Sequence, residues 1–186
     1  FHFGAKRQGT PEFLREASRK RDFGVTQIEP VLDETGEVIS SSRVRARLAE
    51  GDIAGTTALL GRRWRVREPV VRGRQVGREI GYPTANMILA PETELRHGIF
   101  AVRAIRANGE VHDAVASFGT RPTFDDGAAI LETFLFDFAG DLYGEELAIE
   151  FHAFLRGEEK FDSVEALVKQ MDADSEAAKA ILQAAG

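Results

Sequence analysis

The sequence predicts a mainly β fold: an antiparallel barrel or sandwich with a helix at its C-terminal end, behind a separate helical front segment. Three observations predict it. Between residues 61 and 155 there are five or six strand-like runs, with turns at short intervals and no helix between most of them. Asn108-Gly109 separates two alternating apolar runs, the strongest short hairpin signal a sequence carries. After Ser163 the apolar pattern changes to helical spacing and runs to about Gln183.

The elements follow in order. Thr10 is a suitable N-cap and Pro11 suits a first turn, so a helix runs through Phe13, Leu14 and Ala17 and ends before Gly24. Val25 to Leu32 reads as a short strand, and Asp33 to Gly36 as a turn. Ser40, Ser41 and Ser42 cap a short helix that stops at Gly51. Asp52 caps another, from Ile53 to Leu60, which stops at Gly61. Trp64 to Val71 is the first strand of the β region, and Pro69 within it indicates an edge or a bulge. Val71 to Tyr82 is a glycine-rich loop. Ile99 to Arg106, Val111 to Phe118, Ile130 to Phe138 and Glu145 to Leu155 are the further strands. The organisation expected is a front segment over 1–60 and a second domain over 61–186.

Composition narrows the function. A chain of 186 residues buries a core without covalent staples, and the absence of cysteine excludes a disulfide scaffold and a thiolate metal site. No apolar run approaches the roughly 18 residues of a membrane span, so a soluble, cytoplasmic protein with no membrane partner is expected. The chain opens Phe1-His2-Phe3-Gly4 and its only methionines are Met87 and Met171, so a truncated front is expected. Charge is segregated. Residues 61–124 hold eleven basic and six acidic side chains, and residues 125–186 hold four and fifteen. A basic middle invites a search for an anionic ligand, although before any motif two differently solvated faces are the plainer reading.

P-loop, G-x-G-x-x-G and protein-kinase signatures are absent, and His2, His97, His112 and His152 lack metal-ligand spacing. Candidate chemistry lies in three places. The loop RGRQVGREIGYPTAN carries Gly73, Gly77 and Gly81, which let backbone approach a polyanion, together with the charge of Arg72, Arg74 and Arg78. Thr84 and Asn86 follow with hard oxygen atoms suited to Mg²⁺ beside phosphates, aimed by Pro83. A flexible basic hairpin is the competing reading. In the strand at 130–138, Glu132 shares a face with Phe134, Phe136 and Phe138. A carboxylate there needs a partner or a task such as general base; the alternative is a glutamate near a strand end that reaches solvent. Arg121, in the Gly119–Asp125 loop, can fork onto phosphate or simply decorate a surface loop.

GYPTAN, FGTRPTF, LETFLFDF, DLYGEEL and FLRGEEKFDS, in this order, resemble the riboflavin kinase family over about residues 61–186. Within it they are most similar to the kinase module of the bifunctional riboflavin kinase/FMN adenylyltransferases of bacteria, also called FAD synthetases. The resemblance implies a six-stranded Greek-key antiparallel barrel with a C-terminal helix. It implies transfer of the ATP γ-phosphate to the 5′-hydroxyl of riboflavin, giving FMN and ADP. It assigns Glu132 as base, Thr84 and Asn86 to Mg²⁺, and Gly73, Gly77, Arg78 and Gly81 to a flap over the nucleotide. Arg121, Arg156 and Phe161 are then substrate-binding, with Arg156 and Phe161 bordering the flavin. The stretch from Val38 to Arg62 resembles the end of the adenylyltransferase module, an α/β nucleotidyltransferase remnant. The H-x-G-H motif of adenylyl transfer is absent, so FAD synthesis by this chain alone is not expected. The competing reading is a nonenzymatic basic barrel that binds nucleic acid through Arg62, Arg63, Arg65, Arg67, Arg72, Arg74 and Arg78, or a flavin carrier.

Overall fold

The computed structural model describes residues 2–73, 77, 80–120 and 129–185. The chain divides into two compact units, Phe1–Ile39 and Ser40–Gly186. The first holds a short 3₁₀ turn, Ala5–Arg7, and helix α1, Pro11–Lys20. Thr10 caps α1 by accepting the Phe13 N–H at 3.2 Å, with Pro11 in its first turn. The strand expected over Val25–Leu32 does not form. Leu32 makes one isolated bridge to Val38, and Ile28 is 86% exposed. A strand is stable only when a neighbour takes up its backbone groups, and no ladder forms here.

In the second unit, α2 (Ser41–Glu50) and α3 (Ile53–Leu60) precede the strands. Ser40 and Asp52 cap them through the N–H groups of Arg43 and Gly55. Gly51 ends α2 with φ of 78°, a left-handed conformation that glycine adopts without steric cost. Six strands follow: β1 (Arg65–Pro69), β2 (Ala85–Ile88), β3 (Gly98–Ile105), β4 (Val111–Thr120), β5 (Ala129–Leu135) and β6 (Glu146–Arg156). Helix α4, Val164–Ala184, closes the chain and is capped by Ser163.

All strand pairs are antiparallel, in the order β1-β6-β3-β4-β5-β2. The hairpin-linked run β3-β4-β5 with β6 returned beside β3 is a Greek key. Pro69 ends β1, which is an outer strand of the sheet and so tolerates a missing donor. Val71 donates to the Asn86 carbonyl at 2.8 Å, joining the chain beyond β1 to β2 and nearly closing the sheet into a barrel. β5 stops at Leu135, short of the expected Phe138, because Asp137 takes φ of 52° and turns the chain out of the sheet.

Strand side chains alternate between two buried faces. Met87, Phe100, Val102, Phe118, Leu131, Leu147, Ile149 and Phe151 fill the barrel. Phe151 contacts Trp64 at 4.9 Å between ring centroids and Phe100 at 5.3 Å. On the outer face, Ala178 and Leu182 of α4 cover Ala101 and Phe136, with Phe134 and Leu155 beside them. That sandwiching explains why β5 is apolar on both sides.

Outside the apolar layers, His152 is almost fully buried and its Nε2 lies 3.0 Å from Glu150, which also accepts from Arg65 Nε at 2.6 Å. Burial, with Arg63 nearby, pushes the His152 pKa below its ordinary value despite the Glu150 carboxylate.

Two outcomes follow. Phe151→Ala should lower unfolding free energy by about 3–5 kcal/mol, read from denaturant midpoints at constant slope. An unfolded His152 takes up its proton near the ordinary value of about 6.5, whereas the folded one resists it to lower pH. Stability should therefore fall as pH drops from about 7.5 to 5.5, and His152→Gln should flatten that fall in thermal melts. An unchanged slope would remove His152 as its source.

Candidate active site

The site is assembled where β2, β4 and β5 meet. β2 pairs with β5 so that Asn86 stands opposite Glu132, and β4 places Ser117 opposite Glu132 on its other side. β2 is only four residues long, so its register rests on few bonds, together with the buried Ala85 and Met87 that anchor it from within the barrel. Because strand faces alternate, Leu131 and Thr133 point inward while Glu132 and Phe134 line an outer cleft.

The glycine loop is held against this strand. Asn86 Nδ2 donates to the Thr84 carbonyl at 3.1 Å and lies 3.5 Å from Thr84 Oγ1. A Cβ at Gly73 would come within 2.8 Å of the Asn86 side chain. One at Gly77 would come within 2.3 Å of the Tyr82 carbonyl oxygen. Gly77 in turn accepts the Tyr82 N–H at 2.7 Å. Close approach by the protein's own backbone and side chains thus accounts for glycine at both positions. Gly81 has φ of 88°, which permits the sharp entry into Tyr82-Pro83-Thr84.

Two clefts open here. The first, about 630 Å³, is lined by Gly77, Tyr82, Thr84, Ser117, Glu132 and Phe134, and on its far side by Arg156, Phe161 and the start of α4. The second, about 550 Å³, is lined by Asn86, Pro83, Phe138, Asp141, Tyr143 and again Thr84. Among the described residues Thr84 alone lines both. Arg72 lies over the Tyr143 ring, 5.0 Å from its centroid.

The structure therefore brings together Gly77, Thr84, Glu132, Arg156 and Phe161 around one cleft, and Thr84 with Asn86 around the other. Gly73 sits against Asn86 rather than in a cleft wall. Arg78, Arg74 and Arg121 lie outside the described residues. The Arg156 guanidinium forks onto Asp174, with Nε–O and Nη–O distances of 2.9 and 2.7 Å, and donates to the Gly157 carbonyl at 2.9 Å. Its charge is largely spent on that carboxylate. Arg156 also lies over Phe161, 5.8 Å from the ring centroid.

Tyr82, Ser117, Tyr143 and Asp174 have no role assigned from sequence, and Phe138, expected on the face of Glu132, lies beyond the end of β5 and lines the second cleft instead. Tyr143 belongs to the DLYGEEL motif, which was visible without a role. Ser117 and Asp174 carried no local signal, since register and helix docking put them there. Among the described residues no cluster of three or more His, Asp or Glu forms a metal cage. The oxygens present, Thr84 Oγ1 and the Asn86 amide oxygen, are neutral and hard, the set expected of a cation that takes most of its ligands from phosphate and water.

Comparison with known proteins bears on the same region. The riboflavin kinase (flavokinase) family matches residues 60–182. A bifunctional riboflavin kinase/FMN adenylyltransferase of Haemophilus influenzae is 38% identical over 181 residues, covering 97% of this chain and 58% of that protein. The protein of the same name from Pseudomonas fluorescens is 40% identical over 183 residues, with the same coverages. A crystal structure titled as a macrolide-efflux protein of Streptococcus pneumoniae superposes with a TM-score of 0.76 at 37% identity, covering 96% of this chain and 57% of that one. The chain thus spans less than two thirds of the length of these relatives. With its β region matched from before β1 almost to the end of α4, this chain belongs to the riboflavin kinase family.

Proposed function

We propose that the chain transfers the γ-phosphoryl group of ATP to the 5′-hydroxyl of riboflavin, giving FMN and ADP. The observation that carries this reading is the position of Thr84 between two clefts, one of which holds Glu132. A phosphoryl transfer needs an acceptor site and a donor site that meet at one point, with a base on the acceptor side. The first cleft, walled by Phe134 and Phe161, suits a flat aromatic flavin. The second, walled by Phe138 and Tyr143, suits the nucleotide.

Glu132 accepts the proton of the ribityl 5′-hydroxyl as its oxygen bonds to the γ-phosphorus. The bond from that phosphorus to the β-phosphate oxygen breaks, and ADP leaves with the electron pair. The family resemblance assigns Gly73, Gly77, Arg78 and Gly81 to a flap over the nucleotide and Arg121 to substrate binding. Arg156, held by Asp174, shapes the flavin side rather than supplying free charge. Thr84 and Asn86 would hold Mg²⁺, which when bound neutralises phosphate charge.

Residues 1–60 are read as the end of an adenylyltransferase module joined to the kinase module at 61. FMN adenylylation, named in the relatives, is assigned to a protein with the H-x-G-H motif and not to these residues alone. A nucleic-acid groove is not favoured. Arg65 and Arg67 pair with Glu150 and Glu146 across β1 and β6, which leaves the arginine row partly neutralised. No helix among the described residues is long and apolar enough to cross a membrane.

Incubation with riboflavin, ATP and Mg²⁺, followed by chromatography, should yield FMN. Glu132→Ala should lower kcat by roughly 10²–10⁴-fold with nucleotide affinity nearly intact; near-normal kcat would exclude Glu132 as the base. Thr84→Ala should raise the Mg²⁺ concentration needed for half-maximal rate by about tenfold or more. An unchanged Mg²⁺ dependence would remove Thr84 from the metal.

A further inference from the structure

We propose that Tyr82 is a positioning residue for the transfer: its hydroxyl, anchored on Asp172 of α4, fixes the turn that presents Thr84 and Gly77 to Glu132. This rests on the kinase reading above and adds to it a brace that ties the turn before Thr84, where the two clefts meet, to the C-terminal helix.

Three contacts converge on Tyr82, which is buried in the cleft wall. Its hydroxyl donates to the Asp172 carboxylate, 90 residues away in sequence. Its ring packs on Phe134, with centroids 4.7 Å apart. Phe134 is two residues from Glu132, on the same face of β5. The Tyr82 backbone N–H donates to the Gly77 carbonyl at 2.7 Å. A buried tyrosine requires a partner for its hydroxyl, and here the partner lies on another element. Burial and the Asp172 carboxylate raise the Tyr82 pKa, so the phenol stays a donor at neutral pH.

The chain's own stiffness relays this anchorage to Thr84. Pro83 lies between the two residues. It fixes its own φ and restricts the backbone of the residue before it. With Tyr82 held at ring, hydroxyl and N–H, little freedom remains before Thr84. A Cβ built on Gly77 would lie 3.8 Å from Thr84 Oγ1, so the loop and the hydroxyl are neighbours. Release of Tyr82 would therefore loosen both at once. The same helix holds Arg156 through Asp174, so α4 braces opposite walls of the first cleft with two carboxylates.

The test uses Tyr82→Phe, which keeps the ring on Phe134, and Asp172→Ala, which removes the acceptor at an exposed helix position that favours alanine. Each should lower kcat by roughly tenfold and weaken calorimetric binding of Mg²⁺·ADP to a similar degree. The melting temperature of Asp172→Ala should stay close to wild type. The double variant should be no worse than either single one, because both remove the same bond. Wild-type kcat and Mg²⁺·ADP affinity in Asp172→Ala, or losses that multiply in the double variant, would overturn the proposal. So would losses that follow melting temperature alone. A wild-type chain that makes no FMN would instead overturn the kinase reading, and this proposal with it.

Discussion

The pairing of β2 with β5 is the constraint on which the site depends. It sets Asn86 opposite Glu132 and leaves Thr84 just outside the strand, at the meeting of two clefts. A slip of one residue would turn Glu132 and Asn86 to the opposite faces and bury a carboxylate in the barrel. Met87, Leu131 and Ala85 forbid that slip, since they would exchange a dry interior for the cleft. Apolar packing inside the barrel thus specifies the placement of polar groups outside it.

The Greek key supplies the rest of the frame. β4 brings Ser117 to the side of β5 opposite β2, and the return of β6 beside β3 delivers Arg156 to the far wall. Two irregularities in the β3–β6 ladder, between Ile99 and Phe100 and between Ala101 and Val102, accompany that return. Bulges increase local twist and bend, which a six-stranded sheet needs in order to curl toward closure. α4 then covers the outer apolar face and fills two roles, packing through Ala178 and Leu182 and bracing through Asp172 and Asp174.

Features set by neighbours in sequence were legible; those set by neighbours in space were less so. Thr10, Ser40, Asp52 and Ser163 each cap the helix that their side chains announce. The Asn108-Gly109 hairpin and four long strands lie close to where alternation puts them. Val25–Leu32 has strand composition but no ladder, since pairing is a property of two segments. β2 is the converse case: Ala85 and Asn86, the last residues of a motif read for its chemistry, begin the four-residue strand that nearly closes the barrel. The motif residues Thr84, Asn86 and Glu132 could be named from sequence through a family likeness. That Asn86 faces Glu132, that Arg156 is engaged by Asp174, and that Tyr82 reaches Asp172 all depend on register and helix docking, which no local pattern encodes.

The shortness of β2 also bears on how the protein opens. Its one full ladder is to β5, and on the other side a bridge from Val71 is its link to the start of the barrel. Local opening of a structure costs least where few buried backbone bonds must break. The seam between β1 and β2 is therefore the natural place for the barrel to part, and Asn86 lies along it. A ligand that binds only the closed seam adds its binding free energy to the stability of the seam itself. Occupancy by such a ligand and closure of the seam would then form a single linked equilibrium.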